Sequence, residues 1–520
     1  MILKLKKGTG VNAFLNKDIF FVNVKLVKLD RALTNLFVKM YADGQPVEMK
    51  FRREYTIDIL KDYMGKLEEQ GVIKGVKDNP DGAEDWLRSS LLELVNRGNV
   101  IKEHVTTLKP LHLLSFRVQN KKYCRDYHAS DQLYLMIKSD PAVMQGLVRY
   151  LSKGWDKQTG DIITHEELDV DTIGIIYITK KLEERKNLNK ETNAIPKPFL
   201  NKQTDLFNDD IRRLLLYKEK LPRAVFIDYL RILCGLHLAL YAMKVIYLLP
   251  KMIEAGTRDV IDDWSMVVDV TDDLDSIMAP YACKDVERME NSYGKYIRST
   301  YMVDIIQERK GCSIDDALRI LKEENDKQDG YYESILVGIK KSLPEHDEKE
   351  FDQTDFKEML ELFPEKDYFD KLVEVLEKSN LGSHQYRFLH DFIDSVAMKN
   401  SSSMLLADSR AKRHTRRGAI GSKLLETMVQ LLVLHEKGNG HYETRALSID
   451  ELAQAIRDRY GLIINGIGEE RFADATVEVH AAFHENMEAF KNKLRQIGFY
   501  SDMSDACILQ KIRPRYKLED

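Results

Sequence analysis

The run "ILCGLHLALYAMKVIYLL" (Ile232–Leu249) constrains the fold more than any other stretch of the sequence. Eighteen nearly continuous apolar residues either cross a bilayer or lie at the centre of a protein that covers a helix on every side. His237 and Lys244 interrupt the run, and Arg231 and Lys251 flank it closely. It therefore reads as a long buried helix, and no membrane partner is expected. Covering it needs a large body. At 520 residues the chain exceeds what one ordinary core organises, so two to four domains are expected. A composition of 43% hydrophobic and 31% charged residues is that of a soluble globular protein.

Charge and cysteine usage narrow the classes further. The formal net charge of -5 is small for this length, so the molecule as a whole is not marked as a polyanion binder. Charge is segregated locally instead. Pro344–Lys378 holds thirteen acids against five lysines, whereas "ADSRAKRHTRRGAIGSK" gathers Arg410, Lys412, Arg413, Arg416, Arg417 and Lys423 into a basic collar. Five dispersed cysteines without a CxxC pair predict a reduced, cytoplasmic protein with structural thiols. The opening "MILKLKKGTGVNAF" lacks the apolar core and cleavage site of a signal peptide.

The periodicities predict an α+β, mostly helical chain. Residues 1–185 form an α+β domain. Strands are expected within 1–60 (notably "IFFVNVKLVKL"), in "LKPLHLLSFRVQ" and in "DTIGIIYITKKL", and helices in "TIDILKDYMGKLEEQGVI" and "AEDWLRSSLLELVNRG", the latter capped by Gly98. Residues 186–205, with Pro196 and Pro198, read as a linker. Residues 206–400 form a helical domain with an acidic second half. Residues 408–520 carry three helices followed by a hairpin around "SDMSD", the order of a winged helix-turn-helix.

Three constellations carry possible chemistry. Arg410, Lys412, Arg413, Arg416 and Arg417 of the collar, with Lys511, Arg513 and Arg515 on one face of the extended "ILQKIRPRY", form a candidate DNA phosphate-binding surface. Exposed segments also carry such cations with no partner but water, or against an acidic neighbour. Asp269, Asp272 and Asp273 stand at the end of the apolar strand "MVVDV" and could gather a hard divalent cation for nuclease or phosphoesterase chemistry. An Asp-rich turn equally serves as a loop and helix cap. His480 and His484 lie four apart on one helix, the spacing that presents two zinc ligands, but Ala481, Ala482 and Phe483 stand where a metalloprotease has its acid. No phosphate loop or nucleophile elbow occurs, so no cofactor is expected.

The stretches "RRGAIGSKLLETMVQLLVL", "LRQIGFYSDMSDACILQKIRPRY" and "FIDYLRILCGLHLALYAMKVIYLLP" resemble a family of bacterial proteins from antiphage gene islands, the large accessory subunit of the methylation-associated defence system. The resemblance implies a cytoplasmic protein that works with a DNA methyltransferase, an ATPase or a nuclease. It carries over no active-site residue. The combined expectation is a non-catalytic, nucleic-acid-associated subunit of a defence complex. A metal-dependent nuclease at the Asp cluster and a pure protein scaffold are the alternatives.

Overall fold

The structure, a computed structural model, describes residues 3–5, 16–45, 54–99, 101–163, 166–180, 197–271, 273, 275–323, 330–346, 351–408, 416–438, 441–500 and 511–518. It is mostly helical with small two-stranded sheets. The chain divides into two compact units, neither of them continuous in sequence. One comprises Val27–Leu238, Lys423–Ser448 and Asp502–Asp520, and the other Met1–Leu26, Ala239–Ser422 and Ile449–Ser501. Each unit thus draws on segments far apart in the sequence.

The apolar run lies inside a 33-residue helix, Arg223–Ala255, buried as its all-round hydrophobicity demands. The polar residues that interrupt it are paired. His237, fully buried, bonds Asp210 through Nε2 at 2.8 Å and Gln203 through Nδ1 at 2.9 Å. Lys244 reaches Asp262 at 2.9 Å. Paired polar groups are what a buried helix tolerates.

In the first unit the segment "DTIGIIYITKK" is a helix, Val170–Lys180, and not the expected strand. A short, fully apolar β-branched run has no period by which strand and helix can be told apart. Here Asp169 supplies the deciding signal, accepting from the Thr172 amide at 2.8 Å as a helix cap does. The expected helix ending at Gly98 is instead a helix Pro80–Trp86, a π turn Leu87–Leu91 and a strand Leu92–Val95, which pairs antiparallel with His104–Leu108. The second half of "LKPLHLLSFRVQ" is a 3-10 turn, Leu113–Arg117. The helix Ser422–Leu432 also belongs to this unit. Arg213 donates to the carbonyls of Leu431 (3.2 Å) and Leu434 (2.8 Å), and the Tyr217 hydroxyl donates to that of Gln430.

In the second unit, "IFFVNV" keeps the alternation that suggested a strand, with Phe20, Val22 and Val24 buried. It pairs with no strand, however. Its apolar side packs on helices, Phe20 stacking 5.4 Å from the Tyr241 ring. Most of the next expected strand region is a helix, Leu29–Tyr41, which opens the other unit. The strand Met266–Val267 pairs parallel with Leu462–Ile463 over a core of Val267, Met278, Ala282, Ile463, Ala482 and Phe483.

The elements of the winged-helix order are divided between the two units. Ser422–Leu432 and the hairpin Leu434–Gly438/His441–Thr444 fall in one unit, whereas Ile449–Tyr460 and Val477–Gln496 fall in the other. A hairpin thus follows the first helix, and most of the expected terminal wing, residues 501–510, lies outside the described residues.

Candidate functional site

Of the basic collar, Arg410, Lys412 and Arg413 lie outside the described residues. Arg416 and Arg417 are described, and neither faces solvent, with 8% and 6% of their surfaces exposed. Arg417 begins a short strand, Arg417–Gly418, paired antiparallel with Leu406–Ala407. Gly418 lies so close to the neighbouring strand that a Cβ would stand 2.5 Å from the Val267 carbonyl oxygen.

The Arg416 guanidinium lies 2.6 Å from Glu290 and 2.7 Å from Asp394, and it donates to Nδ1 of His390. An imidazole that accepts at Nδ1 is neutral. Burial, and then the Arg416 charge, hold the His390 pKa below its ordinary value. Asp394 also takes Lys399 at 2.7 Å, and Lys399 bridges on to Asp408 at 2.7 Å. Burial alone would raise the Asp408 carboxyl, but its bonds from Lys399 and Asn400 outweigh that and keep it low. Arg417 faces Asp269 at 3.4 Å, with 7% and 0% of the two side chains exposed. Arg417 is engaged with the fully buried Asp269, and Arg416 with the half-buried Glu290 and Asp394. A phosphate at Arg417 would have to leave Asp269 buried and unpaired.

The same geometry accounts for the Asp cluster. Asp269 accepts from the Thr271 amide (2.8 Å) and hydroxyl (2.6 Å) and from the Ser276 hydroxyl (2.8 Å), besides facing Arg417. Asp273 is exposed and accepts from the Asp275 amide, while Asp272 lies outside the described residues. Asp269 and Asp273 thus cap a turn, and the Asp269 carboxylate has no edge left for a cation. Among the described residues no group of three or more His, Cys, Asp or Glu side chains could hold a metal ion. His480 and His484 both stand on the exposed side of the helix Val477–Gln496.

That helix contributes residues that sequence reasoning passed over. Asn486, fully buried, donates to the carbonyls of Val268 (2.9 Å) and Ile464 (2.8 Å) and accepts from the Val270 amide (2.8 Å). Lys493, 3% exposed, donates to the Val270 carbonyl at 3.2 Å. Together they fasten the strand that ends in Asp269. An Asn in mid-helix carries no such message in sequence.

The C-terminal segment matches its expected alternation. Lys511, Arg513 and Arg515 are exposed, while Ile512 and Pro514 between them are buried. The segment is pinned along its length. The Ile512 amide donates to the Leu447 carbonyl (2.7 Å), Gln430 donates to the Tyr516 carbonyl (2.8 Å), and the Leu518 amide donates to the Thr444 hydroxyl (2.9 Å). Arg515 shares its charge with Glu426 at 2.8 Å. The result is a fixed row of three cations at every second residue.

Among the described residues of the acidic region, several carboxylates have partners inside the protein. Asp352 and Asp367 are helix N-caps, and Asp370, Glu374 and Glu377 surround Arg298.

Compared with known proteins, residues 10–516 match the family model described as methylation-associated defense system protein MAD7. No curated protein matches the chain.

Proposed function

This chain belongs to the methylation-associated defense system protein MAD7 family, and from that premise we propose that it is a non-catalytic antiphage subunit that holds DNA by its phosphates. The row Lys511, Arg513, Arg515 is the observation that supports this reading. Three cations project from one side of a segment whose alternate residues are anchored in the core. Side chains two apart on an extended chain are separated by about 6.6 Å, a spacing that lets neighbours meet successive phosphates. Such contacts carry affinity and position, not base identity. Arg410, Lys412 and Arg413 belong to the same proposal, whereas Arg416 and Arg417 do not. Chemistry on the nucleic acid would fall to partner proteins such as a nuclease, a methyltransferase or an ATPase. The full engagement of Asp269 supports assigning it a structural role.

The test is duplex binding across a salt series for the wild type and for Lys511→Ala/Arg513→Ala/Arg515→Ala. Each phosphate contact contributes about 0.9 to the slope of log K against log salt. The triple variant should therefore flatten the slope by up to about 2.7. The loss should be the same on unrelated duplex sequences. An unchanged slope in the triple variant would remove the row from the interface.

A further inference from the structure

The N-terminal segment is fastened to the helix Tyr293–Lys310 by a reciprocal set of side-chain bonds. The Asn16 amide nitrogen donates to Asp304 at 2.5 Å and to Gln307 at 2.9 Å, and Gln307 donates back to Asp18 at 2.8 Å. Beyond this knot, Phe20, Val22 and Val24 are buried, and the Tyr241 hydroxyl donates to the Ile19 carbonyl. A small cavity of about 20 Å³ lies beside it, lined by Asn16, Phe20, Tyr296, Thr300 and Gln385 among others. That is room for roughly one water. Asp304 is a half-buried carboxyl at the point where the segment is tied down.

We propose that residues Asn16–Val24 form a proton-operated clasp, in which a protonated Asp304 favours the docked segment and its ionisation weakens the docking. The groups facing this carboxyl support that sign. Asp18 approaches from the segment, and Glu308, Tyr296 and Tyr301 from its own helix. On the adjoining helices, Glu377 faces Tyr301, and the uncharged Gln385 lines the cavity. Burial first, and then Glu308 and Asp18, raise the Asp304 pKa to about 7 against a lowering bond from Asn16. A released segment would leave Asp304 solvated, near the ordinary aspartate value. The docked form thus holds a proton that the released form lacks between about pH 4 and 7. Docking therefore weakens as pH rises through that window and levels off above it.

Hydrogen exchange of the full chain, corrected for the intrinsic pH dependence, tests this in the peptide spanning 16–24. The Ile19 and Phe20 amides, bonded to the Asn16 carbonyl, are the probes. Their protection should fall by up to about tenfold per pH unit from pH 5 to 7 and then stay level. Asp304→Asn should remove the slope. Asp18→Asn, which keeps the Asp304 carboxyl, should move the levelling point to lower pH. Flat protection in the wild type, the same slope in Asp304→Asn, or an unmoved levelling point in Asp18→Asn would each overturn the proposal.

Discussion

Replacing Arg417 with Met should destabilise its unit by about 3–5 kcal/mol, the usual cost of removing one partner from a buried ion pair. The Asp269 carboxylate, 0% exposed, would keep its bonds from Thr271 and Ser276 but lose the charge opposite it. Urea unfolding should show the loss as a lowered midpoint with an unchanged slope. Adding Asp269→Asn should restore part of it, because a neutral amide needs no counter-charge and can still accept from Thr271. A phosphate-contacting Arg417 would behave in the opposite way, with DNA affinity falling and the midpoint unchanged. The substitution therefore separates the two roles directly.

Asn486→Leu should have an effect of comparable size. It would leave the Val268 and Ile464 carbonyls and the Val270 amide without their present partner inside the protein. Each buried group left unsatisfied costs about 1–3 kcal/mol, so a loss of about 3 kcal/mol or more is expected. Leucine fills similar space, so a cavity contributes little to the effect. Since the three groups hold the strand that ends in Asp269, the Asp269 turn should also lose hydrogen-exchange protection. A midpoint within experimental error of the wild type would show that Asn486 is incidental.

These two sites show what the sequence could and could not convey. The buried helix was legible because an eighteen-residue run that is almost wholly apolar leaves few alternatives, and even its polar interruptions signalled interior partners. The alternation at Lys511, Ile512 and Arg513 was legible for the same reason: a period of two states which side chains share a face. The alternation of Phe20, Val22 and Val24 was read correctly as a pattern but not as an element, since a single buried face does not say whether strands or helices cover it. Two arginines of the collar find their partners at longer range. Arg416 meets Glu290, 126 positions away, and Arg417 meets Asp269, so nothing local distinguishes them from a solvated basic run. The order of the C-terminal helices likewise says nothing of which compact unit each of them joins.

The most direct test of the central claim is the binding of the purified wild-type protein to two unrelated duplexes of equal length across a salt series. A phosphate-holding subunit predicts equal affinities for the two sequences and a linear fall of log K with log salt, with a slope of roughly -2 or steeper. Absence of binding at low salt, or binding indifferent to salt, would contradict it.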